Sequence, residues 1–280
     1  SASHTGSGTA SFDISSYMSA NTKVQFVVTG ISGSGGDRLF VDNVQVSYNA
    51  NSAPTITSNS GGTTASINVA ENTTTVTTVA ATDADAGQTL TYSIAGGADA
   101  AKFTINSSTG QLSFASVPNY EAPTDSGGDN VYDVTIQVSD GAGGTDTQAL
   151  SINLTNVNEA PTGADATVTI NEDTSHTLTT TNFGFSDVDA GDTMSAVRID
   201  TLPAAGILTL SGVAVTAGQV VSVANITAGS LVFTPASNAN GTGYANVTFS
   251  VRDAASTYDA APDTLTFTVT AVNDAPTVTN

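Results

Sequence analysis

The chain has 280 residues and a formal net charge of -20, from 25 acidic and only 5 basic side chains. A surface that negative repels phosphate backbones and anionic lipids, which makes nucleic acid and membrane surfaces poor partners. There is no cysteine to form a disulfide staple, and no apolar run approaches the roughly 18 residues needed for membrane insertion.

Along the chain, alternating runs at Val24–Val28 and Leu39–Tyr48, joined by a Gly/Ser/Asp turn at residues 33–37, predict a few strands. Two or three strands do not make a stable sandwich. Residues 1–49 are therefore expected to be the C-terminal strands of an incomplete domain, completed by another chain or by packing on the next unit. No basic segment followed by an apolar one opens the chain. Any targeting signal is expected to have been removed or to lie outside it.

A repeat begins near residue 50. Asn51-Ser52-Ala53-Pro54 returns as Asn158-Glu159-Ala160-Pro161 and again as Asn273-Asp274-Ala275-Pro276, with the prolines 107 and 115 residues apart. Between these marks, Ala70-Glu71-Asn72 matches Asn171-Glu172-Asp173, and Asp83-Ala84-Asp85-Ala86-Gly87 matches Asp187-Val188-Asp189-Ala190-Gly191. Gly110–Phe114 likewise matches Gly229–Phe233, and Val134–Asp140 matches Val247–Asp253. Within each repeat the period is two. Val134, Ile136 and Val138 alternate with polar residues, as do Leu150, Ile152 and Leu154, and then Leu265, Phe267 and Val269. That alternation marks half-buried antiparallel strands. Short strands separated by Gly/Asp-rich turns predict an all-β protein of tandem Greek-key β-sandwiches, elongated, with domains at residues 50–159 and 160–280. The second domain carries inserted strands near Gly206–Gly212 and Gln219–Val223. No stretch has a helical period, although Ala98–Lys102 has room for one turn.

The acids fall where strands end. Glu71 follows a strand, Asn119 and Glu121 lie in a mid-domain loop, and Asn156, Asn158 and Glu159 lie in the exit linker. From the next domain come Asp187 and Asp189 in a turn and Asp253 at a strand end. These residues can converge on one joint. One joint earlier, Asp83, Asp85 and Asp140 would face Asn49 and Asn51. Glu172, Asn273 and Asp274 would begin a third, incomplete site. Asp-x-Asp in an extended segment puts both carboxylates on one side. Calcium takes six to eight oxygens of these types. Asp and Asn also favour turns for their own sake. The repetition of the whole set is what points to Ca2+.

The first repeat resembles a bacterial cadherin domain, on Ala70-Glu71-Asn72, Asp83-Ala84-Asp85, Ala101–Ile105, Gly110-Gln111-Leu112, Asn119-Tyr120-Glu121, Val138–Gly141 and Asn156–Pro161. The second resembles the longer cadherin-like repeats of large RTX-type adhesins and giant surface proteins, on Phe233-Thr234-Pro235, Gly241 and the 273–276 ending. Residues 1–49 are similar to the tail of a jelly-roll carbohydrate-binding module through Phe40–Val46, where Asp42 and Asn43 could equally cap a turn. The resemblance implies junction calcium held by Glu71, Glu121, Asn156, Asn158, Glu159, Asp187, Asp189 and Asp253. It also implies an extracellular or bacterial cell-surface location, with neighbouring repeats as partners. Asn119 departs from the family, which commonly has an acid there, and this puts one ion position in doubt.

The expected function is a calcium-rigidified spacer of a secreted or surface adhesin. The alternative is a carbohydrate- or protein-binding module with cadherin-like spacers in a secreted glycan-acting protein, reaching glycans or proteins through flanking domains. Homophilic adhesion is a third reading, and the chain has no Trp to anchor it. Catalysis is not expected. Neither His4 nor His176 has a nucleophile and acid set, and the carboxylates recur at domain ends instead of lining one cleft.

Overall fold

The computed structural model describes residues 50–274, so the predicted partial domain at 1–49, including Asn49, lies outside the described residues. The described chain is all-β, as the alternation predicts. It divides into two compact units, one holding residues 50–66, 75–113 and 133–151, the other residues 67–74, 114–132 and 152–274.

The first nine strands are β1 (Thr55–Ile56), β2 (Thr64–Ala70), β3 (Thr75–Thr78), β4 (Ala81–Thr82), β5 (Thr91–Gly96), β6 (Phe103–Ile105), β7 (Gln111–Phe114), β8 (Val131–Ser139) and β9 (Thr145–Thr155). They form a four-stranded sheet ordered β2-β9-β8-β5, a three-stranded sheet β3-β7-β6 and the pair β1-β4. The β5–β8 register sets Tyr92 against Val138 and Ile94 against Ile136. The period-two pattern is realised along β8 and β9, where Val134, Ile136, Val138 and Leu150 are buried with Val79, Phe103 and Leu112 in the first unit. The single helical turn expected at residues 98–102 is a 3-10 turn at Ala100–Lys102.

Gly110 is required where it stands. Its φ is +72°, and a Cβ there would lie 2.1 Å from the Val79 carbonyl oxygen. Gly110→Ala is expected to cost about 2–4 kcal/mol, adding left-handed strain to a backbone collision. Urea unfolding of the full chain would measure it, and a loss below 1 kcal/mol, roughly the cost of a tolerated glycine replacement, would count against this reading.

The remaining elements belong to the second unit. They are β10 (Ala166–Asn171), β11 (His176–Thr177), β12 (Ala196–Ile199), β13 (Ile207–Leu210), β14 (Val213–Ala214), β15 (Gln219–Ser222), α1 (Val223–Thr227), β16 (Leu231–Thr234), β17 (Gly241–Arg252) and β18 (Asp263–Thr270). Two sheets, β10-β18-β17-β12-β15 and β11-β16-β13-β14, enclose one apolar cluster. Phe233 stacks on Phe267 at 3.8 Å between ring centroids, and Phe183 meets Phe249 edge to face at 5.0 Å. Each such buried ring stabilises the fold by about 1.5–3 kcal/mol. β10 runs parallel to β18, Ala166 opposite Leu265.

The strands expected near Gly206–Gly212 and Gln219–Val223 correspond to β13 and β15, and β14 pairs with β13 between them. The predicted strand Gln219–Val223 stops one residue early, because Ser222 caps a one-turn helix: its Oγ accepts the Asn225 N–H at 3.2 Å. A single turn is too short to show a 3.6-residue period, so α1 has no periodic signal in the sequence. Among the described residues no helix is long and apolar enough to cross a membrane.

Candidate metal centre

Glu71 directly follows β2, and its N–H bonds the Thr155 carbonyl at 3.1 Å, which fixes it beside the end of β9. Its carboxylate is 1% exposed and grips two segments: Oε2 accepts the Tyr120 N–H at 2.8 Å and Oε1 the Val157 N–H at 2.9 Å. Asn72 turns the chain with φ +63°, and its Nδ2 donates to Glu159 Oε1 at 2.8 Å. The outcome is a cluster in which Glu71, Glu121 and Glu159 each offer an oxygen, all within 4.8 Å of one another. Glu121 Oε2 and Glu159 Oε2 are buried with no hydrogen-bond partner. Burial first, and then the charges of Glu71, Glu159 and Asp189, push the Glu121 carboxyl above its ordinary value against the pull of its own N–H.

A second cluster, in the same compact unit, joins Asp187, Asp192 and Asp253, again within 4.8 Å. Asp253 directly follows β17 and is fully buried. Its Oδ1 accepts the Thr257 N–H at 2.7 Å, and its Oδ2 accepts Asn158 Nδ2 at 3.0 Å. Asp189 receives Asn156 Nδ2 at 2.7 Å and the Glu159 N–H at 2.9 Å, while its own N–H donates to Asp187 Oδ1 at 3.0 Å. Asp187 Oδ2 is buried and unpartnered. Asp192 was not among the residues singled out from sequence. The spacing Asp187-x-Asp189-x-x-Asp192 carried the signal, but the first repeat has Gln88 at that place, so comparing the repeats hid it.

The first unit repeats this pattern in its own residues. Asn51 Nδ2 donates to Asp140 Oδ2 at 2.7 Å, the Ser52 N–H to Asp85 Oδ2 at 2.7 Å, and the Asp85 N–H to Asp83 Oδ1 at 2.7 Å. These bonds match those of Asn158, Glu159 and Asp189 one for one. The Asn51 amide holds the Asp140 carboxyl below its usual range; burial opposes it, and the Ala142 and Gly144 N–H groups assist. Gln88 Nε2 donates to Asn51 Oδ1 at 2.6 Å where Asp192 stands in the other set. Asp83, Asp85 and Asp140 do not form a close triad.

Glu172 reproduces the anchoring of Glu71. Its N–H bonds the Thr270 carbonyl at 2.9 Å, its Oε1 accepts the Val272 N–H at 2.7 Å, and its Oε2 accepts Asn240 Nδ2 at 3.0 Å. Asn273 and Asp274 are exposed, and the structure gathers no acidic triad around Glu172 among the described residues. The Asn119 Oδ1 accepts the Ala122 N–H at 2.7 Å in a local turn. Among the described residues the only ion pair is Arg198–Asp200, so neither triad is neutralised by a basic side chain.

None of the curated proteins compared matches the chain. Residues 65–155 match the family model of the cadherin domain. The chain is similar in structure to human protocadherin-24 EC1-2 in two crystal structures. One is 19% identical with a TM-score of 0.52, covering 81% of this chain and 100% of that one. The other is 18% identical with a TM-score of 0.51, covering 80% and 100%. Mouse cadherin-23 EC22-24 is 17% identical over 80% of this chain and 68% of that one, with a TM-score of 0.48. At these identities the likeness to protocadherin-24 shows a shared fold.

Proposed function

We propose that the chain is a calcium-stiffened spacer from a secreted or surface-displayed bacterial adhesin of the RTX type, built of cadherin-like repeats at residues 50–159 and 160–280. The observation that carries this reading is the pair of carboxylate triads, Glu71/Glu121/Glu159 and Asp187/Asp192/Asp253, neither of them neutralised by a cationic side chain. The donors fit a hard divalent cation. All are oxygens, and buried oxygens on Glu121, Glu159 and Asp187 have no partner. Flexible carboxylates and amide oxygens in that number suit calcium better than magnesium, which demands a tight octahedron.

Glu71, Glu121, Glu159 and Asp189 would hold one ion, with Asn156 beside them. Asp187, Asp192, Asp253 and Asn158 would hold another, once the Asn158 amide presents its oxygen. Bound calcium would offset the repulsion within each triad. The residues themselves already tie linker positions 156–159 to the Asp189 and Asp253 loops, and ions would harden that tie. Asn49, Asn51, Asp83, Asp85 and Asp140 would serve a preceding repeat. Glu172, Asn273 and Asp274 would serve a following one. Such a spacer would be stiff in calcium and slack without it.

Calorimetric titration of the full chain with calcium, paired with small-angle scattering with and without chelator, tests this. Stoichiometric binding and a maximum dimension that changes on chelation are expected; heat of diffuse binding only, with an unchanged dimension, would sink it. Asp192→Asn should weaken the second ion on the order of tenfold by removing one of its three charges, while the ion at Glu71 keeps its affinity. Titration of that variant would show one class of site shifted and the other unmoved.

A further inference from the structure

A third group of carboxylates lies away from both triads, in the second unit. Asp165 precedes β10, Asp263 opens β18, and Asp259 lies in the hairpin between β17 and β18. Asp165 Oδ1 accepts the Thr264 N–H at 2.7 Å. Asp259 Oδ2 accepts the Gly163 N–H at 2.6 Å, and its Oδ1 accepts the Ala261 N–H at 2.9 Å. Asp263 Oδ2 is buried with no partner. It sits against Gly163, where a Cβ would come within 2.0 Å of it and within 3.3 Å of the Phe249 ring. The Asp263 carboxyl thus fills the space that a Cβ at residue 163 would need, and the Phe249 ring borders the same space.

Asp259 and Asp263 converge on the same glycine: Asp259 Oδ2 accepts the Gly163 N–H, and Asp263 Oδ2 stands where a Cβ of residue 163 would go. Two ionised carboxylates are both acceptors and repel; the contact closes only when one of them carries a proton. No described cation intervenes. Arg198 and Arg252 flank the Tyr258 ring, and they are engaged by Asp200 and by the Ser195 hydroxyl. We propose that Asp259 and Asp263 form an acid-sensitive clasp: a shared proton fastens the β17–β18 hairpin to the Gly163 segment leading into β10, and its loss sets the two carboxylates against each other. The clasp does not depend on calcium at the triads.

Burial, then Asp259 and Asp165, push the Asp263 carboxyl up to about 6. The sign follows from that rise. The folded chain holds a proton that the unfolded chain has released, so the stabilisation is whole below the ordinary aspartate value and is lost as the pH rises through about 6.

The test uses the full chain in chelator. Between pH 7.5 and pH 5 the folding equilibrium of the native protein should gain about tenfold relative to Asp263→Asn. The variant's amide donates to Asp259 at every pH, so it should be the more stable of the two at pH 7.5. Carbon-13 NMR of the aspartate carboxyls in the unmutated protein provides a readout independent of how the variant folds. One resonance should titrate near pH 6. A stability difference that stays flat with pH, or a set of aspartates that all titrate below pH 5, would overturn the clasp.

Discussion

Glu71→Ala is expected to destabilise the chain by about 2–4 kcal/mol in chelator and to abolish calcium binding at the glutamate triad. The cost arises because the Glu71 carboxylate is the shared acceptor of two backbone donors, Tyr120 and Val157, on segments nearly 40 residues apart. Each charge-assisted bond contributes about 1.5–3 kcal/mol, and the relief of repulsion with Glu121 and Glu159 offsets part of the loss. Glu71→Gln separates anchoring from metal binding. Its amide oxygen keeps one donor satisfied and the charge is gone, so stability in chelator should stay near that of the native chain. Calcium stabilisation from that triad should nevertheless vanish. Urea unfolding with and without calcium measures both. If the alanine variant matched the native chain in chelator, Glu71 would not be the anchor described here.

Withdrawal of calcium is expected to have the largest effect of all. At a concentration 100 times its Kd, each independent ion contributes about 2.7 kcal/mol to the folded state. Two ions would therefore contribute about 5 kcal/mol, and chelation should lower Tm by roughly 10–20 °C. The pH dependence should change sign with the metal. Glu121 is raised by burial and by Glu71, Glu159 and Asp189, so its contribution in the metal-free chain is favourable at low pH and is lost as pH rises through the raised value. Mild acid should thus stabilise the chain in chelator. In calcium the same protons compete for the ligand oxygens, and acid should destabilise it. Thermal melts at pH 5 and 7.5, with calcium and with chelator, give the four values needed. The same slope in both would argue against metal at the glutamate triad.

Much of the candidate site was legible because its residue types recur at fixed places in a repeat. Asp187, Asp189 and Asp253 stand out in sequence by their recurring places in a turn and at a strand end, and the bonds from Asn158 and Glu159 to Asp253 and Asp189 are repeated by Asn51 and Ser52 in the first unit. The match between repeats stops at Asp192, which stands opposite Gln88 and whose Oδ1 accepts the Ala254 N–H just past β17. The Asn119 side chain closes a local turn, as short amides do when a backbone N–H lies three residues on. The aspartate clasp left no mark in sequence, since Asp259 and Asp263 close on Gly163, 96 residues before Asp259 in the chain.

By itself the sequence determined the all-β class, the repeat and the gathering of acids at strand ends. A period of two and a recurring Asn-x-Ala-Pro need only neighbouring residues to be read. Only the tertiary structure decided which carboxylates meet. That depends on pairings such as β10 alongside β18, and on single backbone donors reaching across loops to Glu71 and Asp253. Such contacts are selected by the packing of two sheets around a common core, an energy summed over the whole unit and written in no short stretch of chain.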